Sequence, residues 1–191
     1  ILHARAFTDN LRAFNVAQII TPNISKAKQT QTTQRFKIHL ITYSGEDLFT
    51  KVEFSRRGMK GAVAVHPISD TILRSYKLAP LVVPHYDIHS AVSQKIGALA
   101  ARTVTQARDI FDLFILSPQY DAPEGKRAVD TAQIAKAHEN IFTIPFEQFR
   151  DTVVSYLSVE DQVAYGDPAM WDEIKLKTAQ FLEAIKGQRH V

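Results

Sequence analysis

The sequence predicts an α+β fold, strand-rich over residues 1–84 and all-helical over residues 85–191. Two patterns carry that prediction. Apolar residues alternate with period two between Arg35 and Ser55, and after Pro84 the period lengthens to about 3.6 and stays there to the end. A third observation is bulk: 191 residues, 45% of them hydrophobic and 23% charged, suffice for one domain or one large domain with an appendage. The same composition excludes disordered, collagen-like and low-complexity chains.

The elements follow in order. Residues 8–19 read as a short helix, capped by Thr8 or Asp9, with Leu11, Phe14 and Val16 as apolar contacts and Pro22-Asn23 as its end. Residues 23–34 are polar and aperiodic, which predicts a loop. Arg35-Phe36-Lys37-Ile38-His39-Leu40 alternates strictly, breaks at Ser44-Gly45-Glu46-Asp47 and resumes as Thr50-Lys51-Val52-Glu53-Phe54-Ser55, a hairpin of two strands. A third strand is expected at residues 62–65, a helix at 69–78 and a short strand at 81–83. Helices are then expected at about 87–103, 105–116, 130–140, 145–157, 158–165 and 168–186. The last is the clearest, with Asp167 as cap, Pro168 at the first helical position, a stripe of Trp171, Ile174, Thr178, Phe181 and Ile185, and Gly187 as stop. Trp171, Phe181 and the series Phe142, Phe146, Phe149 are read as core and not as a base-stacking platform.

With no cysteine, disulfide frameworks, thiolate metal sites and cysteine nucleophiles are all excluded, and a reducing, cytoplasmic setting is the expectation. No run approaches the roughly 20 apolar residues that cross a bilayer. The charge balance is 23 Lys plus Arg against 20 Asp plus Glu, or +3, which suits a phosphate or nucleic-acid partner without requiring one. Bases cluster in the first 80 residues, at Lys26, Lys28, Lys51, Arg56, Arg57, Lys60, Arg74 and Lys77.

On a helical wheel for residues 87–103, Ile88, Val92 and Leu99 form the apolar stripe, with Ile96 further round, and Lys95 and Arg102 fall beside it. These two cations stand seven residues apart, about 10 Å along the axis. A cation on an inward face needs an anionic partner. In the next helix Arg108, Asp109 and Asp112 share one edge, while Ile110, Phe111, Leu113 and Phe114 face the core. Two readings stand at this point. Lys95 and Arg102 against Asp109 and Asp112 could be an interhelical ion-pair network. Alternatively, the same groups form a polar cluster at a cleft, where Lys95 or Arg102 meets a phosphate and an aspartate orients a base, hydroxyl or metal-bound water.

The segment Lys95-Ile96-Gly97-Ala98-Leu99-Ala100-Ala101-Arg102, followed by Arg108-Asp109-Ile110-Phe111-Asp112-Leu113-Phe114-Ile115-Leu116, resembles the Lys-x-x-Ala-Leu-x-x-Arg and Arg-Asp-x-x-Asp-Leu-x-x-Leu block of the AbiEii/AbiGii nucleotidyltransferase toxin family. The strand Leu48–Phe54 is similar to that family's strand before the block, so the resemblance covers roughly residues 35–116. It implies a partial polymerase-β-like nucleotidyltransferase sheet followed by a helical bundle. It also implies Mg²⁺-dependent transfer of a nucleotide from a nucleoside triphosphate, in abortive-infection or type IV toxin–antitoxin systems. A cognate antitoxin is then an expected partner, and tRNA a candidate acceptor, since some relatives modify its acceptor end. On the same pattern Lys95 contacts the triphosphate, Asp109 or Asp112 is the catalytic acid of the last motif, and Arg102 and Arg108 support substrate binding.

The family's Gly-Gly or Gly-Ser turn and Asp-x-Asp pair do not occur in this sequence. They belong upstream of the Arg35–Ser55 hairpin, and the chain opens on Ile1, so the expectation is that an N-terminal segment precedes it. Glu53 is then the candidate third metal carboxylate, with a solvated strand glutamate as the plain alternative. The rival functional reading is a degenerate or truncated family member that binds nucleotide, RNA or antitoxin without catalysis. His85 and His89 stand four apart but lack a third ligand, and a capping or surface role is expected for them. Arg56-Arg57-Gly58-Met59-Lys60 is read as a solvated turn, with contact to a nucleic-acid backbone as the functional alternative.

Overall fold

A computed structural model describes residues 9, 15–20, 28–56, 58, 61–75, 78–121 and 129–187. The chain divides into two compact units, Ile1–Met59 and Lys60–Val191. The architecture is α+β, strands first and helices after, as the change of period predicts.

The first unit is an antiparallel sheet centred on the expected hairpin. Its strands are β1 (Val16–Ile20), β2 (Lys28–Gln29), β3 (Thr33–Thr42) and β4 (Asp47–Ser55). β4 pairs with β3 from Thr33↔Ser55 to Ile41↔Asp47 and so fills one edge of β3, while β1 and β2 share the other. The β3–β4 turn needs Gly45, whose φ of +84° lies in the left-handed region. Thr42 closes it by accepting the Glu46 N–H on Oγ1 at 3.0 Å. Phe36 and Ile38 are buried on one face of β3, with Val52 and Phe54 of β4 packed against them.

Two expectations fail in this unit. The helix over residues 8–19 does not run its length: Asp9 is helical, but Val16–Ile20 is a strand, and residues 10–14 lie outside the described residues. Three of the five residues of β1 are β-branched, and pairing with β3 outweighs the weak helical pattern. The loop over 23–34 contains β2 and the start of β3, joined by a turn in which Thr33 N–H donates to Thr30 Oγ1 at 2.9 Å.

The second unit begins with a two-stranded ribbon, β5 (Val63–Pro67) and β6 (Val82–Tyr86), connected through α1 (Asp70–Ser75). β6 continues through Pro84, which pairs with Val65. The helices are α2 (Ile88–Ala101), α3 (Ala107–Leu116), α4 (Thr131–Ile141), α5 (Phe146–Thr152), α6 (Val159–Tyr165) and α7 (Pro168–Gly187). The expected single helix over 145–157 is broken at Val153, whose φ, ψ of −130°, −65° leave the helical region before a 3₁₀ turn at Val154–Tyr156. Thr152, Val153 and Val154 form a β-branched run that weakens helix there, and Val153 and Val154 are both buried.

One core joins α2, α3, α4, α5 and α7, with Ile96, Leu99, Ile110, Leu113, Ile134, Phe149, Trp171 and Ile174 sealed from solvent. Trp171 stacks face to face on Phe149 at 4.1 Å between ring centroids and donates its indole N–H to the Ile144 carbonyl at 3.0 Å. A buried indole nitrogen left unpaired would offset part of that packing, so the carbonyl fixes the ring's orientation. Phe142, expected in the core, is instead 53% exposed at the end of α4.

The start of α2 is tied to the ribbon's end. Asp87 accepts the Ser90 N–H at 2.8 Å, Ser90 Oγ accepts the Ala62 N–H at 2.9 Å, and the Asp87 N–H donates to the Ala62 carbonyl at 3.1 Å. Gly61 makes the approach possible, because a Cβ there would meet Ser90 Oγ at 2.5 Å. Hydrogen bonds from the Ser90 side chain and then its backbone hold the Asp87 carboxyl below the ordinary carboxylate range. A carboxyl with a lowered folded pKa adds stability above its unfolded value and loses it as pH falls through the folded one. Asp87→Ala is therefore expected to melt below the parent chain at pH 7, with the gap closing as pH drops below the usual carboxylate range; melting curves across pH measure this, and a gap independent of pH would refute it.

Candidate functional site

α2 and α3 bring together four of the residues singled out in the sequence. Asp109 on α3 is sealed from solvent, with its side chain 1% exposed. Arg102 Nε donates to its Oδ2 at 2.7 Å, and Lys95 Nζ donates to its Oδ1 at 3.3 Å. Lys95 also forms an ion pair with Asp112 Oδ2 one helical turn further on. The cluster is asymmetric: Asp109 is enclosed, whereas Lys95 keeps 27%, Arg102 39% and Asp112 40% of their side chains open to water.

Local structure explains that geometry. Arg102 is expected inside the helix but is its C-cap, with ψ 136°, and its N–H closes on the Ala98 carbonyl. The turn that follows is held from both sides, by Asn140 Nδ2 donating to the Leu99 carbonyl at 2.9 Å and by Gln148 Nε2 donating to the Thr105 carbonyl at 3.1 Å. α3 then starts at Ala107, which places Asp109 in its first turn, where the N-terminal end of the helix favours a negative charge.

A cleft of about 600 Å³ opens along the outer edge of α3, lined by Arg108, Phe111, Asp112, Asp151, Tyr156 and their neighbours. Asp112 belongs to both the cleft and the cluster, so the two adjoin. Arg108 is exposed on the cleft side and, among the described residues, has no carboxylate partner.

A sequence profile described as Nucleotidyl transferase AbiEii toxin, Type IV TA system, matches residues 3–184. The chain belongs to the AbiEii nucleotidyltransferase toxin family. No curated protein matches it. Among solved structures it is similar to a protein from H. pylori described as a nucleotidyltransferase, at 19% identity and a TM-score of 0.48, over 91% of this chain and 72% of that one. It is also similar to JHP933 from Helicobacter pylori, at 16% identity and a TM-score of 0.46, over 90% of this chain and 64% of that one.

Nucleotidyltransferases of this kind generally use Mg²⁺. Among the described residues no three His, Asp or Glu side chains converge on a point, so they form no all-protein metal cage. Glu53, the expected metal carboxylate, lies exposed on β4 in an ion pair with Arg35 Nε at 2.5 Å. The two histidines considered as a pair are also apart in role. His85 sits in β6, donates from Nδ1 to the Tyr86 carbonyl at 2.6 Å, and so in its neutral form accepts on Nε2 from His66 Nδ1 at 2.8 Å. His89 packs edge-on to Tyr120 at 5.1 Å. Of the basic positions, Arg56 donates its backbone N–H to the Thr32 carbonyl, and Lys26, Arg57, Lys60 and Lys77 lie outside the described residues, as does Met59.

Sequence reasoning missed Asp151 and Tyr156, which reach the cleft from the α5 end across about 40 residues of chain. No spacing rule links them to α3. It also missed which aspartate is enclosed, because Asp109 and Asp112 share one helix edge and only the packing of α2 over the first turn separates them.

A buried carboxylate that loses all its cations is far less stable than one that keeps a single partner. Lys95→Met or Arg102→Met alone is expected to cost about 1–3 kcal/mol, and the double variant about 3–5 kcal/mol. Urea unfolding of the three variants is the measurement, and a double variant as stable as the parent would refute the account.

Proposed function

We propose that this chain carries the triphosphate-gripping part of a nucleotidyltransferase toxin, which moves a nucleotide from a nucleoside triphosphate to an acceptor, with tRNA as candidate acceptor and a cognate antitoxin as candidate partner. The observation that supports it is the placement of Lys95 over a buried carboxylate with part of its side chain open to water. An ammonium has three N–H groups. Asp109 and Asp112 engage two of them, and the third is available to a phosphate oxygen. Arg102 spends its Nε on Asp109 and likewise keeps its terminal nitrogens for an anion. Arg108, exposed on the cleft side, adds a further cation at the neighbouring cleft.

In nucleotidyl transfer an acceptor hydroxyl oxygen bonds to the α-phosphorus, the bond to the bridging oxygen breaks, pyrophosphate leaves and the hydroxyl proton departs. Charge gathers on phosphate oxygens, and fixed cations stabilise it without reorganising at the moment of reaction. Asp109 is then a positioning residue that holds Lys95 and Arg102 in place. Asp112, partly open to water, is the carboxylate that can meet substrate and take the acceptor proton. This division assigns the two aspartates different roles from one difference in burial.

A second reading is binding of nucleotide, RNA or antitoxin without turnover. It draws support from the charge balance of the cluster, in which both cations already have carboxylate partners.

Melting temperatures with each nucleoside triphosphate, paired with transfer of α-labelled nucleotide to tRNA, separate the readings. Turnover requires that a triphosphate raise the melting temperature, that Lys95→Ala abolish the rise while staying folded, and that Asp112→Asn keep the rise but lose at least about a hundredfold in labelling. A rise without labelling in the parent chain establishes the binding module. No rise with any nucleotide removes turnover and nucleotide binding together, and leaves RNA or antitoxin as the occupant in the second reading.

A further inference from the structure

We infer that the outward face of the β3–β4 hairpin is a docking surface for single-stranded RNA. The strand register defines that face. Arg35 stands opposite Glu53, Lys37 opposite Lys51 and His39 opposite Phe49, three successive cross-strand pairs on the side away from buried Phe36 and Ile38.

Two of these pairs are satisfied internally. Arg35 meets Glu53 at 2.5 Å. The His39 imidazole lies flat on the Phe49 ring, with centroids 4.5 Å apart at 17°, and its Nε2 meets Asp47 Oδ1 at 2.5 Å. The middle pair is not. Lys37 and Lys51 put like charges directly opposite each other, a pairing that destabilises a ladder. Both are exposed, and among the described residues neither has a carboxylate partner. An anion over the centre of the ribbon would turn that repulsion into attraction.

The ring beside the lysines narrows the choice of anion. Phe49 is 75% exposed, yet it is fixed by His39 beneath it and by the strand behind it. A rigid, open aromatic face next to paired ammonium groups matches a base on the ring and its phosphate over the lysines. Phe49 and Lys51 are two residues apart on one strand, about 7 Å, which a single nucleotide can span. A polyphosphate or an acidic peptide would meet the lysines and leave the ring unused, and duplex nucleic acid offers no free base to stack. The choice of RNA over DNA rests on the acceptor proposed above; the surface itself is argued from its own residues.

The test is fluorescence anisotropy of labelled oligouridylate and oligothymidylate on the full chain, without nucleotide triphosphate, over a salt series. Oligouridylate is expected to bind more tightly than oligothymidylate. Phe49→Ala is expected to weaken it roughly tenfold. Lys37→Ala with Lys51→Ala should flatten the dependence of log affinity on log salt, by about 0.7 for each phosphate no longer neutralised. Lys37→Ala should not lower the melting temperature, because it relieves a repulsion. Unchanged binding by Phe49→Ala overturns the proposal, as does oligoglutamate competing as well as RNA, which would make the face a site for an acidic protein. Equal affinity for the DNA strand overturns the assignment to RNA. Lys95→Ala is expected to leave this binding intact, so failure of the nucleotidyl-transfer reading and failure of this one are read on different variants.

Discussion

The second unit turns on one carboxylate that has no access to water. Asp109 would be a severe liability if it stood alone, because an unpaired buried charge either costs several kcal/mol or takes up a proton. It is tolerable only while α2 supplies Lys95 at one oxygen and Arg102 at the other. That requirement fixes the distance between α2 and α3, the length of the turn between them and the point where α2 must stop. Arg102 reaches Asp109 because it has left the helix, and it leaves there because Asn140 and Gln148 hold the carbonyls on either side of it. The core formed by Phe149, Trp171 and the isoleucines is what keeps α4 and α5 in position to do so. Apolar packing thus determines polar geometry at one remove.

Much of this was legible in one dimension. Period-two alternation around Phe36 and Ile38 yields the hairpin because a strand with one buried face has no other way to read. The stripe through Trp171, Ile174 and Thr178 yields α7 for the corresponding reason in a helix. The pairing of Lys95 and Arg102 with Asp109 and Asp112 follows from spacings of seven and three. What failed to show depends on pairing, turns and chain direction that periodicity along one segment does not carry. Val16–Ile20 becomes a strand because β3 offers an edge, Lys28–Gln29 pairs because the Thr30–Thr33 turn folds it back, and Phe142 is exposed because α4 ends with that residue turned outward. The enclosure of Asp109 and the openness of Asp112 belong to the same class, since the two are equivalent on their own helix.

The two units also handle charge in opposite ways. In the helical unit two carboxylates and two cations balance, and one carboxylate is buried outright. On the hairpin, exposed Lys37 and Lys51 stand directly opposite each other, a like-charge pair that disfavours the ladder. The first arrangement constrains geometry and the second leaves an unmet demand for an anion. A single net charge of +3 for the whole chain conceals both.

The ion-pair and functional readings of the Lys95 cluster are compatible, and energetics shows why. Buried ion pairs give little net stability over apolar residues of similar volume, since desolvation cancels most of the attraction. If fastening α2 to α3 were the cluster's whole task, leucines and methionines would serve as well, and the core beside it already consists of such residues. Apolar side chains cannot present oriented N–H groups to an anion. The cluster has that capacity because it is buried at one end and wet at the other: Asp109 holds the cations still from below, while Lys95 and Arg102 remain partly open above. A fully buried network could not reach a substrate, and a fully exposed one would be too mobile and too screened to hold a phosphate in register. The gradient of exposure across four side chains is therefore what the proposed phosphate grip requires of an interhelical clasp.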